Sequence, residues 1–169
     1  MAAVRDRRGW LTPRCSGQSA RIGFARRKVM LAPLVLRIRS KTARVGDLVK
    51  ASGLHPIVIY KKGHPRVPGH TVLSPSSGFN VDVSDADGVL EKQARDAVRF
   101  LKSHAMGLAR LRRCKTFGGM TLDFGVYDRT TAERPWPTYR FPAPLIELAG
   151  KLGVELELSF YGVEPKEAG

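Results

Sequence analysis

The sequence predicts an α+β fold, a two-layer sandwich with a mixed sheet and helices on one face. Three observations predict it. Several short segments alternate apolar and polar residues, as half-buried strands do. One long segment repeats apolar residues at steps of three and four, as an amphipathic helix does. Each strong strand-like segment has one apolar and one polar face, so a doubly covered parallel sheet is not expected.

The elements follow in order. Leu34 to Arg39 places Leu34, Leu36 and Ile38 on one face and Val35, Arg37 and Arg39 on the other. Val45 to Ser52 carries Val45, Leu48 and Val49 at helical spacing, with Gly53 as its stop. Ile57 to Tyr60 is a β-branched run and reads as a strand. Lys61 to Gly69 is turn chemistry, and Phe79 to Val83 alternates again. Ser84, Asp85 and Asp87 then open a helical pattern whose stripe is Leu90, Ala94, Ala97, Val98, Leu101, Ala105, Leu108 and Leu111. Gly107 interrupts that stripe and is a point at which the helix could divide in two.

Met120 to Tyr127 is the cleanest strand: Met120, Leu122, Phe124 and Val126 against Thr121, Asp123, Gly125 and Tyr127. A proline-rich loop follows from Glu133 to Pro144. A short helix then carries Leu145, Leu148, Ala149 and Leu152 and stops at Gly153. Val154 to Tyr161 alternates without a fault. The expected order is therefore β-α-β-β-α-β-α-β, with the last strand–helix–strand unit able to form a parallel crossover.

Charge divides the chain of 169 residues. Residues 1–29 hold eight Lys/Arg and one acid; the remainder holds 21 basic and 14 acidic side chains, within a net charge of +14. The first segment is poor in periodic apolar residues and is not expected to fold with the rest. It suits an import signal, a nucleic-acid-binding arm, or an upstream stretch if the chain starts at Met30. One α+β domain is expected over residues 30–165.

The longest apolar run, Met30 to Leu36, is too short to span a bilayer. No membrane association is expected, and the cytoplasm is the expected compartment. Cys15 and Cys114 form neither a CxxC pair nor a disulfide framework. His55, His64, His70 and His104 lack zinc-like spacing. No metal or cofactor is expected.

Each candidate site has a structural account beside its functional one. Asp82 to Gly88 resembles a calcium loop, but setting Gly88 at the sixth position puts Val83 and Ala94 where the first and last ligands belong. Helix capping by Ser84 or Asp85 is the simpler account. Arg110, Arg112, Arg113 and Lys115 could contact phosphate, or could merely complement the negative end of the long helix. Lys61 and Lys62 lie in a basic turn without phosphate-loop glycine spacing. The polar sheet face gathers Arg37, Arg39, Asp123, Tyr127, Glu155, Glu157 and Tyr161. It is either a binding surface or a set of cross-strand ion pairs. Trp136 and Tyr139 could form the lip of a binding site. No nucleophile elbow or Cys–His pair is legible, so no catalytic residue is assigned.

Leu54-His55-Pro56 after the first short helix, the central helix, and Pro144 to Gly153 leading into a strand ending Phe160-Tyr161 together resemble a bacterial family catalogued as domain of unknown function 4279. The resemblance covers about residues 34–161. Members carry a tryptophan before the central helix, where this chain has Phe79. The resemblance implies a small cytosolic bacterial domain with an interaction or immunity-like role, and it transfers no site residue. The expectation is a non-enzymatic domain binding a protein or small ligand through the sheet face or the Trp136 loop. The alternative is a nucleic-acid-binding protein using the basic tail, Lys61, Lys62 and the Arg110–Lys115 cluster.

Overall fold

The computed structural model describes residues 32–66, 69, 71–127 and 136–161. The extension at residues 1–29 and the chain end after 161 lie outside them. The order is β1 (Leu34–Ser40), α1 (Val45–Ser52), β2 (Val58–Tyr60), β3 (Ser77–Ser84), α2 (Leu90–Arg113), β4 (Phe117–Tyr127), α3 (Ala143–Leu152) and β5 (Glu155–Tyr161). The five strands form one sheet in the order β2-β3-β1-β4-β5. β1 runs antiparallel to both β3 and β4, β2 antiparallel to β3, and β4 parallel to β5. The sheet is mixed because α3 carries the chain back to start β5 beside β4 in the same direction, which a hairpin cannot do.

The alternation seen in the sequence sets the two layers. Leu34, Leu36 and Ile38 of β1, Phe79 of β3 and Met120, Leu122 and Phe124 of β4 are all fully buried. Ala97, Leu101, Leu108 and Leu111 of α2, Leu48 of α1 and Leu145 of α3 close over them. At about 2 kcal/mol for each buried large apolar side chain, this single core is the main force holding the layers together. The opposite sheet face is left with the polar residues of each strand. Among the described residues no helix is long and apolar enough to cross a membrane.

Two expectations for the long helix need correction. It does not begin at Ser84–Asp87: its first residue is Leu90, its N-cap position is Val89, and no side chain caps it. The acids have other partners. Asp87 Oδ1 accepts the Ala32 N–H (3.0 Å) and the Tyr127 hydroxyl (2.7 Å), and Ser84 Oγ accepts the Ala86 N–H at 3.1 Å. Nor does Gly107 divide the helix, which runs unbroken for 24 residues. Gly107 is there because α1 packs against it: a Cβ would lie 2.2 Å from the Ser52 carbonyl oxygen.

A buried polar cluster anchors the entry to β1. Gln93 is fully buried, and its amide nitrogen lies 2.8–2.9 Å from the carbonyl oxygens of Ala32, Ala86 and Gly125. Three acceptors around one amide group require its nitrogen, not its oxygen, to face them. Gly88 N–H donates to the Ala32 carbonyl as well. The β3–α2 loop, the start of β1 and the end of β4 are thereby tied together at one end of the sheet.

Candidate functional site

The polar sheet face is a lattice of ion pairs. Strand register aligns Asn80, Arg37, Thr121 and Glu155 in one row, and Asp82, Val35, Asp123 and Glu157 in the next. Arg37 Nη2 lies 3.1 Å from Asp123 and 2.7 Å from Glu157, in charge contact without the alignment of a hydrogen bond. Arg39 donates to Glu155 Oε2 at 2.7 Å, and Thr121 Oγ1 donates to the same oxygen at 2.8 Å. Ser159 Oγ donates to Asp123 at 2.5 Å. The Thr121 hydrogen bond, then that from Arg39, holds the Glu155 carboxyl below the usual range, although burial opposes it. Arg39 and Thr121 thus satisfy Glu155, and Arg37 is paired in charge with Asp123 and Glu157, as cross-strand pairs are.

The two tyrosines assigned to that face stand apart from the lattice. Tyr127, at the end of β4, gives its hydroxyl to Asp87 and packs on Gly88. The Asp87 hydrogen bond raises its phenol above the ordinary range. Tyr161 is exposed at the end of edge strand β5, and its phenol is raised by burial first and by the Asp123 charge second.

At that same end the chain forms a concave surface. A cleft of about 410 Å³ is lined by Gly88 to Glu91 at the start of α2, by Val126 and Tyr127, and by Pro137 to Arg140. It lies beyond the carboxyl ends of the parallel strands β4 and β5, the edge at which sheets with parallel crossovers commonly hold ligands. Tyr139 packs edge-on against Phe160 with ring centroids 5.5 Å apart. Trp136 is 84% exposed and Phe160 55% exposed, with Tyr161 beside it on β5. Pro137 to Tyr139 thus edge the cleft with exposed Trp136 next to them in the chain, and Phe160, the last apolar residue in the alternation of β5, is a further exposed aromatic in contact with Tyr139. Phe160 stands one residue from the end of edge strand β5 and is more than half exposed.

The basic residues gather at the opposite end. Tyr60, Gly78, Arg39 and Gly119 share one row, so Lys61 and Lys62 leave β2 at the end of the sheet where β4 begins. Three strand spacings separate Tyr60 from Gly119, about 14 Å. Lys41 donates its backbone N–H to the Thr116 carbonyl, which places β1's exit beside Lys115. Two of the cluster are structural: Arg110 Nε donates to the Ala51 carbonyl, and Arg112 Nη1 to that of Lys151. Arg113 and Lys115 are exposed. Nearby, Tyr60 is buried beneath the Arg66 guanidinium, 4.3 Å from its ring centroid.

Among the described residues no group of three or more His, Cys, Asp or Glu side chains is arranged to hold a metal ion. Compared with protein-family models, curated proteins and solved structures, the chain gives no match.

Proposed function

We propose that the chain is a binding domain that performs no chemistry of its own and takes a protein partner on the aromatic lip beyond β4 and β5. The observation that carries this reading is the exposure of Trp136 and Phe160 next to the cleft-lining Tyr139, the first close along the chain and the second in ring contact, with Tyr161 exposed beside Phe160. Aromatic side chains are the usual anchors of protein interfaces, because each buries a large area at low conformational cost. Burying one such ring is worth about 2 kcal/mol. The sheet face supports the reading less well, since its charges are already paired with one another. An interaction role is also what the sequence resemblance to the uncharacterised bacterial family implies. A small ligand in the cleft is the other occupant of the same surface.

The test is capture of a stoichiometric partner by the full chain and by Trp136→Ala, Phe160→Ser and Lys61→Glu/Lys62→Glu variants of matched folding. Trp10→Phe leaves Trp136 as the one tryptophan, whose emission shifts to the blue when it is covered. The reading expects capture to be lost in the two aromatic variants and kept in the lysine variant. Capture that ignores the aromatic changes would sink it.

The convergence of Lys61, Lys62, Arg113 and Lys115 at one end of the sheet favours a second reading, nucleic-acid binding. That reading expects duplex affinity to fall steeply with salt, and charge reversal at these positions to flatten the dependence. A salt slope unchanged by the substitutions would eliminate it.

A further inference from the structure

On the far side of the segment that forms the aromatic lip, α2 and the start of α3 enclose a second groove of about 620 Å³. Val98, Pro142 and Pro144 give it an apolar wall, and Lys92, Arg95 and Arg99 line it at steps of three and four on one face of α2. We propose that this groove binds a small organic anion, with an apolar body against Val98 and the two prolines and a phosphate or carboxylate group held by Arg95 with Lys92 and Arg99 beside it.

The charges present make the groove net basic. Its one acid, Asp96, has a side chain only 11% exposed; it accepts the Ser84 hydroxyl at 2.5 Å and pairs with Arg99. Arg99 itself remains 79% exposed. Lys92 stands 3.5 Å from Asp85, an exposed pair of the kind that contributes little. Arg95 makes no ion pair with the described residues. A guanidinium free to turn is the side chain best shaped for two-point contact with a carboxylate or phosphate.

The start of α3 is not the recognising element. Pro142 and Pro144 have no N–H to offer, and the Leu145 and Ile146 N–H groups both donate to the Pro142 carbonyl. Recognition falls to the α2 side chains. Inorganic phosphate would leave the apolar wall unused, and a neutral apolar molecule would leave the cations unused. The volume falls within the usual range for small-molecule sites. The inference does not rest on the partner reading, since neither Trp136 nor Phe160 lines the groove.

The experiment is calorimetric titration of the full chain with decyl phosphate below its micelle concentration, beside decanol, inorganic phosphate and phosphatidylglycerol vesicles. Arg95→Glu is compared with Lys50→Glu, which changes the net charge equally at an exposed position on α1. The expected result is saturable decyl phosphate binding at one site, weakened about tenfold or more by Arg95→Glu and little changed by Lys50→Glu. Decanol and inorganic phosphate should each bind at least about tenfold more weakly than decyl phosphate. Equal losses in the two variants would reduce the effect to net charge and overturn the site. So would phosphate binding as tightly as decyl phosphate, or vesicles binding where the soluble probe does not.

Discussion

Gly107 is a residue at which two physical rules oppose each other. In an exposed helix interior, Gly→Ala is worth about 0.5–1 kcal/mol in favour of alanine. Here the added methyl carbon would lie 2.2 Å from the Ser52 carbonyl oxygen, a backbone atom that cannot turn aside. The clash wins, so Gly107→Ala should destabilise by about 1–3 kcal/mol as α1 is pushed off α2. Urea denaturation measures it, and a stabilised variant would show that the two helices are not in close contact. Thr121 acts through charge instead. Its hydroxyl is the main cause of the lowered Glu155 pKa, and Ser84 plays the same part for Asp96. A carboxyl with a depressed folded pKa contributes stability that is present above its unfolded pKa and lost as pH falls through the folded value. Stability should therefore drop below about pH 4. Thr121→Val should make that acid limb shallower, by less than about 1 kcal/mol because Glu155 is largely exposed. Denaturation midpoints at neutral and acid pH should show the variant converging on the parent as acid is added; a constant offset would assign the loss to packing.

The elements were legible wherever alternation or a helical stripe was strong. β1 and β4 bury the faces that their patterns name, β5 half-buries Leu156 and Leu158 but leaves Phe160 exposed, and Gly53 and Gly153 end their helices with φ of 66° and 65°. The start of α2 was misread because a cluster of Ser and Asp beside an apolar stripe has the composition of a cap whatever those side chains bind. Asp87 instead holds Ala32 and Tyr127, contacts 55 and 40 residues away in sequence that no local pattern reveals. The aromatic lip was half legible for a similar reason. Trp136 and Tyr139 were visible as loop aromatics, but the strict alternation of β5 gives no sign that its last apolar residue, Phe160, is left exposed at a sheet edge. The corrected start of α2 yields its own prediction. Val89 occupies the N-cap position at φ −98° and ψ 89°, exposed and without a side-chain oxygen for the free N–H groups of the first turn. Val89→Asp should supply that oxygen and favourable charge at the helix start, stabilising by about 0.5–2 kcal/mol. Were the helix to begin at Ser84–Asp87, the same change would fall inside it and weaken it. The sign of the change in thermal midpoint separates the two.

Across the whole molecule the two layers carry opposite charge. The outward face of α2, about 36 Å long, displays Lys92, Arg95, Arg99, Lys102 and Arg113. The sheet face sets Asp82, Asp123, Glu155 and Glu157 against Arg37 and Arg39. Salt acts on these layers in opposite directions. It screens repulsion between cations on neighbouring turns of α2, each such pair costing about 0.2–0.5 kcal/mol. It also weakens the sheet-face pairs, each worth about 0.2–1 kcal/mol where exposed. The Arg37 contacts resist screening best, because Asp123 is only 15% exposed. With 21 basic against 14 acidic side chains beyond residue 29, relief of repulsion should dominate. Stability should therefore rise as sodium chloride goes from about 0.02 to 0.3 M, over which the Debye length falls from about 21 to about 6 Å, close to the spacing of neighbouring helix turns. Charge reversal of Arg95 and Lys102 should flatten the rise by removing the repulsion at its source. Urea midpoints across the salt series decide the matter: a fall in the parent protein would mean that the sheet-face lattice, not the basic helix, sets its electrostatic stability.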